Sequence, residues 1–355
     1  MKIGAEITGT GCYIPENIIQ NNYFLNNTFL KEDGSVFSYN NQLVINKFNT
    51  ITGIEARKYA SKEHTTSDLG FFASKKAIED AGIDPEELDY IIFAHNFGDV
   101  KHGSSQTDII PSLAARVKQH LGIENPNCLA YDLIFGCPGW IQGMIQASLF
   151  IKADAAKKCL VIGAETLSRV SDPYDRDSMI YSDGAGACIL EKSAENSSSG
   201  ILSHVAQSDT KKECNYLFFG NSYNKSKDQT KYIKMFGRKI YEYAISKVPA
   251  AIKSAVDKAE IDISEVKKIF IHQANEKMDE VIIKRFYELY NMSVPEGIMP
   301  MNIRELGNSS VATVPTLFDM VKNNQLEGHS IHKGEVIIFA SVGAGMNINA
   351  LVYKY

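Results

Sequence analysis

Two stretches of this chain, half its length apart, carry one pattern. Ala77-Ile-Glu-Asp-Ala-Gly-Ile-Asp-Pro-Glu-Glu-Leu-Asp-Tyr-Ile-Ile-Phe93 aligns without a gap on Ala255-Val-Asp-Lys-Ala-Glu-Ile-Asp-Ile-Ser-Glu-Val-Lys-Lys-Ile-Phe-Ile271, an offset of 178 in a chain of 355 residues. Each reads as the end of an amphipathic helix, a turn at Ile-Asp and a short buried strand. A second echo pairs Ser182-Asp-Gly-Ala-Gly186 with Ser341-Val-Gly-Ala-Gly345, each followed by a strand-like run. One echo is within reach of chance similarity between helix–strand units. Two in the same order make a duplicated α/β unit the better reading. Each half then alternates helices with β-rich runs such as Lys158-Cys-Leu-Val-Ile-Gly163 and Val336-Ile-Ile-Phe-Ala340, which predicts sheets covered by helices on their faces. The most linker-like segment, Lys192 to Gly200, places the seam, with a first half over 1–195 and a second over 196–355.

Composition narrows the class. At 44% hydrophobic and 22% charged the chain can bury a sizeable core. A net charge of −5 argues against a nucleic-acid binder. No run approaches the roughly 18 apolar residues of a membrane helix, and the strand-like start has no signal-peptide core. A cytoplasmic protein with neither nucleic acid nor membrane as partner is therefore expected. The six cysteines include no CxxC pair, which predicts reduced thiols with no disulfide framework and no metal site. Two polar, irregular stretches, Gln20 to Thr50 and Asn215 to Tyr232, are expected as solvated loops, a composition that enzyme lids share.

Cys137 is the leading candidate for chemistry. An apolar run ends at Gly136, the thiol follows, and Trp140, Ile141, Met144, Ile145 and Leu149 then recur at helical spacing. Pro138 suits the first helical position, so the sulfur falls at a helix start, where the helix dipole favours the thiolate. A buried structural cysteine is the competing reading. Among eight histidines, His272 ends a strand and has Ala94 as its counterpart in the first repeat. Active sites of open α/β sheets collect at such strand ends. His95 competes with it. Asn308 sits in Gly307-Asn-Ser-Ser310 at the edge of a helix, where an N-cap role competes with a catalytic one. The Gly-rich turn Ala340-Ser-Val-Gly-Ala-Gly-Met346 offers N–H groups for an oxyanion.

In this order the pieces resemble the condensing enzymes of the thiolase superfamily, above all the β-ketoacyl-acyl-carrier-protein synthase III group. The likeness rests on Gly136-Cys-Pro-Gly-Trp140, Gly163-Ala-Glu-Thr-Leu-Ser-Arg169, Ser182-Asp-Gly-Ala-Gly-Ala187, His272-Gln-Ala-Asn275 and Gly307-Asn-Ser-Ser310. It extends to Gly9-Thr-Gly-Cys-Tyr-Ile-Pro15 and Thr52-Gly-Ile54, and so spans nearly the whole chain. The resemblance implies a thiolase-like α/β fold of two βαβαβαββ halves in five α-β-α-β-α layers. It implies that Cys137 accepts an acyl group, that His272 and Asn308 assist, and that the backbone N–H groups of Cys137 and Ala344 hold the oxyanion. The reaction implied is acyl transfer followed by decarboxylative Claisen condensation, in fatty acid or related lipid and polyketide biosynthesis. No bound cofactor is implied. Acyl-coenzyme A or acyl-carrier-protein thioesters are the substrates, acyl carrier protein is a partner, and the family is usually homodimeric.

The chain also departs from that family. A Trp and an Arg that clamp coenzyme A fall on Lys47 and Ile51, and the Lys of a helix-start motif falls on Glu242 in Gly237-Arg-Lys-Ile-Tyr-Glu242. Lys277 stands for an Arg after His-Gln-Ala-Asn and loses bidentate phosphate recognition. The aromatic residue that gates the neighbouring subunit's acyl pocket falls near Ile110. Lys277, Arg238 and Ile110 are the candidates for substrate or carrier contacts. These departures turn the expectation toward a primer delivered on a carrier protein, or a β-ketoacyl substrate as in resorcinol- or diketone-forming relatives. A papain-like hydrolase also uses Cys, His and Asn, but its Cys-Gly-Ser-Cys-Trp signature is absent. A non-catalytic binding protein of the same fold is the remaining alternative, against which the retained trio argues.

Overall fold

The computed structural model describes residues 4–194, 197, 199–226 and 230–355. Its first half builds a five-stranded sheet from β1 (Ala5–Tyr13), β2 (Tyr90–His95), β3 (Leu129–Ile134), β4 (Lys158–Thr166) and β5 (Asp183–Lys192). Helices α1 (Thr66–Ala81) and α2 (Gly139–Lys152) belong to the same half. The strand order is β1-β5-β4-β2-β3. Strands β4, β2 and β3 run parallel, while β1 and β5 pair antiparallel.

The second half repeats the scheme with β6 (Gly200–Ser208), a hairpin of β7 (Leu217–Asn221) and β8 (Lys231–Met235), α3 (Gly237–Ala259), β9 (Val266–Ile271), α4 (Glu276–Glu288), α5 (Thr313–Lys322), β10 (Val336–Gly343) and β11 (Asn347–Lys354). Its sheet runs β6-β11-β10-β9 with the same sequence of pairing senses. The seam follows β5 and precedes β6; the boundary at 195 and 196 lies outside the described residues.

This sheet has four strands where the first has five. Beyond β9 the chain passes Ile298, whose carbonyl accepts from the Ile269 N–H at 2.8 Å. Pro300 lacks the N–H a ladder needs. The Gln273 side chain spans the gap instead, donating to Pro300 O at 2.8 Å and accepting from Asn302 N at 3.0 Å.

Side-chain alternation along the strands sorts the core into layers. Ile91, Phe93, Leu160 and Ile162 point outward to α1, while Ile92 and Val161 point inward to α2. On the other sheet Ile338 and Ala340 face α3 and α4, and Ile337 and Phe339 face inward. Helices α2 and α5 fill the space between the sheets. Trp140 of α2 meets Phe339 edge to face, centroids 5.5 Å apart, and Phe318 of α5 meets Phe339 at 5.0 Å. The five layers α-β-α-β-α are those of the thiolase-like fold. Among the described residues no helix is long and apolar enough to cross a membrane.

Between the halves, two glycine turns touch. Gly136 has φ +68°, a left-handed conformation that favours glycine, and a Cβ there would lie 2.7 Å from Ala344 N. A Cβ on Gly343 would lie 2.4 Å from Cys137 N and 2.7 Å from Pro138 Cδ. Only hydrogen fits at either position. Gly136→Ala, through overpacking and its positive φ, and Gly343→Ala, through overpacking alone, should each lower the unfolding free energy by about 2 kcal/mol or more in denaturant titrations. A loss below about 0.5 kcal/mol, the range of ordinary surface changes, would show that the turns part easily.

Candidate active site

The touching turns form the floor of a cavity of about 600 Å³ that Cys137, His272, Asn308 and Ala344 all line. The three side chains come from corresponding places in the two halves. Cys137 precedes α2, and Asn308 lies in the turn that leads into α5. His272 directly follows β9, as Asn96 follows β2 after His95. His95, the competing histidine, is fully engaged elsewhere. Its Nε2 meets Asp132 at 3.0 Å and its Nδ1 accepts from Gly98 N at 3.0 Å.

Helix α2 begins at Gly139, so Pro138 is its N-cap and not its first helical residue. The expected dipole effect on the thiol is outweighed. Burial pushes the Cys137 thiol up to about 11, against a lowering by the Ser310 hydroxyl. Desolvation in an apolar cavity exceeds what one helix terminus supplies. The same cause pushes His272 down to about 4, which keeps the imidazole neutral. The resting pair is thiol and imidazole.

Ser310, which sequence reasoning passed over, joins the three. Its Oγ lies 3.3 Å from Cys137 Sγ. Its backbone N–H donates to Asn308 Oδ1 at 2.7 Å, which fixes the amide and leaves Nδ2 as its remaining group. Its carbonyl accepts from Thr313 Oγ1 at 2.8 Å, and that hydroxyl lies 2.6 Å from His272 Nδ1. Thr313 has a single proton to share between the carbonyl and Nδ1. Pointed at Ser310 O, it leaves Nε2 of the neutral ring bare; turned to Nδ1, it leaves Nε2 protonated. Ser310 adopts φ +53°, unusual for a residue with a side chain. The one sequence signal for it is its place in Gly-Asn-Ser-Ser.

The cavity walls correct both loop expectations. Asn41–Thr52 is a helix capped by Asn40, whose side chain accepts from Leu43 N, and it turns Val44, Phe48 and Ile51 to the cavity. Within Asn215 to Tyr232 the hairpin β7–β8 begins, and it adds Phe218, Phe219 and Ile233. Lys47 and Ile51 line the mouth, where Lys47 lies over the Tyr39 ring. Arg238 also lines it but is paired with Glu242 at 2.8 Å. Lys277 is exposed on the first turn of α4 and stands off the cavity. Ile110 is 84% exposed and does not reach it. Leu149, placed with the buried face of α2, is 48% exposed. Asn275, the last residue of the His-Gln-Ala-Asn motif, caps α4 by accepting from Met278 N at 3.0 Å.

Comparison with known proteins agrees with this architecture. Residues 131–210 match the 3-oxoacyl-[acyl-carrier-protein] synthase III family model, and residues 256–355 match its C-terminal model. A β-ketoacyl-[acyl-carrier-protein] synthase III of Staphylococcus epidermidis is 30% identical over 100% of this chain and 99% of its own length. The crystal structure of the 3-oxoacyl-[acyl-carrier-protein] synthase III of Aquifex aeolicus superposes with a TM-score of 0.81 at 27% identity, covering 99% of this chain and all of that one. The priming β-ketosynthase of the R1128 polyketide pathway shares the fold, with a TM-score of 0.80 at 22% identity over 99% of this chain and 96% of its own. The chain belongs to the 3-oxoacyl-[acyl-carrier-protein] synthase III family of the thiolase superfamily. It is a condensing enzyme, an acyltransferase.

The depressed His272 has a consequence for stability. The unfolded chain's histidine takes up a proton below about 6.5, whereas the folded one resists down to about 4. Over that window the unfolded state binds more protons, so stability falls as pH falls. His272→Gln should remove about 2–3 kcal/mol of the pH dependence between pH 6.5 and 4 and leave the slope above pH 7 unchanged. Parallel stability curves for the two proteins would show that His272 titrates normally.

Proposed function

We propose that Cys137 is the acyl acceptor of this condensing enzyme and that His272 and Asn308 are its catalytic partners. The observation that carries the reading is the convergence of all three on one apolar cavity, tied together through Ser310. In the first half-reaction the thiol proton passes to the bare Nε2 of His272. The thiolate attacks the carbonyl carbon of a primer thioester, and the N–H groups of Cys137 and Ala344 hold the oxyanion. The carbon–sulfur bond to the carrier breaks, the proton goes to the departing thiolate, and an acyl-cysteine remains.

In the second half-reaction a carrier-bound malonyl-type thioester enters. Its carboxylate leaves as carbon dioxide, and the bonding electrons pass into an enolate. Between the half-reactions His272 loses its Nδ1 proton to solvent and gains one at Nε2 as the Thr313 hydroxyl turns to Nδ1; Asn308 Nδ2 and Nε2 then donate to the enolate oxygen. The enolate carbon attacks the acyl-cysteine carbonyl, the carbon–sulfur bond breaks, and a β-ketoacyl thioester departs. Cys137 leaves as thiolate and recovers a proton from solvent. Apart from those proton exchanges with solvent, each step uses groups on this chain and its two thioesters.

Acyl carrier protein delivers the extender. Lys47 and Ile51 at the mouth offer no aromatic–guanidinium clamp for an adenine, which favours a primer borne on a carrier protein or a β-ketoacyl substrate. A hydrolase reading is disfavoured because residues 131–210 and 256–355 match the synthase III family models. Fatty acid or related lipid synthesis in the cytoplasm, by a homodimer in which Ile110 reaches the neighbouring subunit's cavity, completes the proposal. Arg238 at the mouth and Lys277 on the exposed first turn of α4 would meet the carrier.

Intact-mass spectrometry after incubation with a panel of acyl thioesters should show one acyl adduct, on Cys137, that Cys137→Ser lacks. Full acylation of Cys137→Ser would overturn the assignment. Asn308→Ala should still acylate while condensation falls by about 10²–10³-fold, the usual effect of losing one oxyanion donor. Adducts from carrier-bound but not coenzyme A-bound primers would support the carrier reading, and the reverse preference would reject it.

A further inference from the structure

The Ser310 hydroxyl has one proton and two polar neighbours, and one of the two decides the direction of that proton. Ser310 Oγ lies 3.1 Å from Asn96 Nδ2 and 3.3 Å from Cys137 Sγ. The same Nδ2 lies 2.5 Å from Glu165 Oε1, which also accepts from the Asn96 backbone N–H at 2.7 Å. An amide nitrogen donates and does not accept. Because Oε1 already accepts from the backbone N–H, turning the amide over would set two acceptor oxygens 2.5 Å apart and lose a hydrogen bond. One proton of Nδ2 therefore goes to Glu165 and the other to Ser310 Oγ. Ser310 accepts on that side, and its own proton is left for the sulfur.

We infer that Asn96, anchored by Glu165, is a positioning residue for the nucleophile: it turns the Ser310 hydroxyl so that a proton, and not a lone pair, faces Cys137 Sγ. The inference rests on the reading of Cys137 as the nucleophile. When the thiol gives up its proton, the sulfur gains charge in an apolar cavity, and a donor already aimed at it stabilises the anion without rearrangement. With the hydroxyl turned the other way, its oxygen would oppose that charge. Glu165 is 1% exposed and lies near the end of β4, beside Asn96 at the end of β2, so the anchor belongs to the rigid sheet. Burial raises its carboxyl to about 8 while the two Asn96 N–H groups oppose the rise. Glu165, His272 and Tyr181 are the titratable groups nearest the thiol, Asp183 lies behind Glu165, and Tyr39, Lys47, Arg176, Asp177 and Arg238 line the same cavity.

The test is the pH profile of Cys137 alkylation by iodoacetamide in the full chain, read on the Cys137 peptide so that the exposed Cys214 does not interfere. Ser310→Gly removes the hydroxyl and relieves the positive φ; it should move the profile up by about one pH unit, the worth of one hydrogen bond to a charged group. Asn96→Ala should move it the same way by less. The double variant should match Ser310→Gly alone, because Asn96 acts only through the hydroxyl. Asn96→Leu, close in volume and without a donor, replaces the alanine variant if that fails to fold. An unmoved profile in Ser310→Gly or in the Asn96 variants, or additive shifts in the double variant, overturns the inference. Because alkylation needs no acyl substrate, its outcome is separate from that of the acylation reading: a shifted profile in a protein that no thioester acylates would reject that reading and leave the hydroxyl's role standing.

Discussion

The site depends on the backbone contact between the Gly136–Cys137 turn and the Gly343–Ala344 turn. Each turn ends a strand-to-helix or strand-to-strand passage in its own half, and neither holds a complete constellation. Their approach is close enough that a single methyl group would collide with a main-chain nitrogen at 2.4 to 2.7 Å. That closeness brings the thiol of one half beside the imidazole and amide of the other. It also sets the N–H groups of Cys137 and Ala344 on one cavity floor. Further up, Asn308 is fixed to the first half by main-chain bonds, its N–H to Ile180 O at 3.0 Å and its carbonyl to Ser182 N at 2.8 Å.

The duplicated fold explains why the pieces meet there. Helices α2 and α5 are counterparts packed side by side between the sheets, and both start at the same end of the molecule. The turn before α2 carries Cys137; the turn before α5 carries Asn308 and Ser310. The ends of β2 and β9 add Asn96 and His272. Strand ends and helix entries of the two halves therefore converge with different residue types, Ala94 being the repeat counterpart of His272, and a repeat that keeps its scaffold while changing these residues yields an asymmetric site.

Apolar surroundings then govern the chemistry. Burial holds Cys137 as a thiol and His272 as a neutral ring, the reverse of what a helix start alone would favour. In the proposed reaction this neutral pair would await a thioester, with donors fixed around it for the charge that develops. Ser310 is the joint of that arrangement because its hydroxyl, N–H and carbonyl each serve a different side chain.

Much of this was legible in the chain. The repeat at an offset of 178 residues determined two layered α/β halves, because apolar periodicity dictates which faces must be buried. Cys137, His272 and Asn308 stood out because each follows a strand or enters a helix at a motif. The helix Asn41–Thr52 did not, since its Asn-rich polar face masked an apolar stripe that has meaning only against the cavity. The weakness of the dipole effect on Cys137 was equally hidden, because desolvation depends on walls contributed by the hairpin β7–β8 and that helix. Asn96 is an ordinary residue in sequence, and Glu165 and Ser310 showed only as members of motifs with no role of their own. Local pattern settled the elements and the reactive groups; the tertiary structure alone decided which polar atoms share a proton, because hydrogen-bond partners more than 200 residues apart, such as Asn96 and Ser310, meet only once both halves are packed.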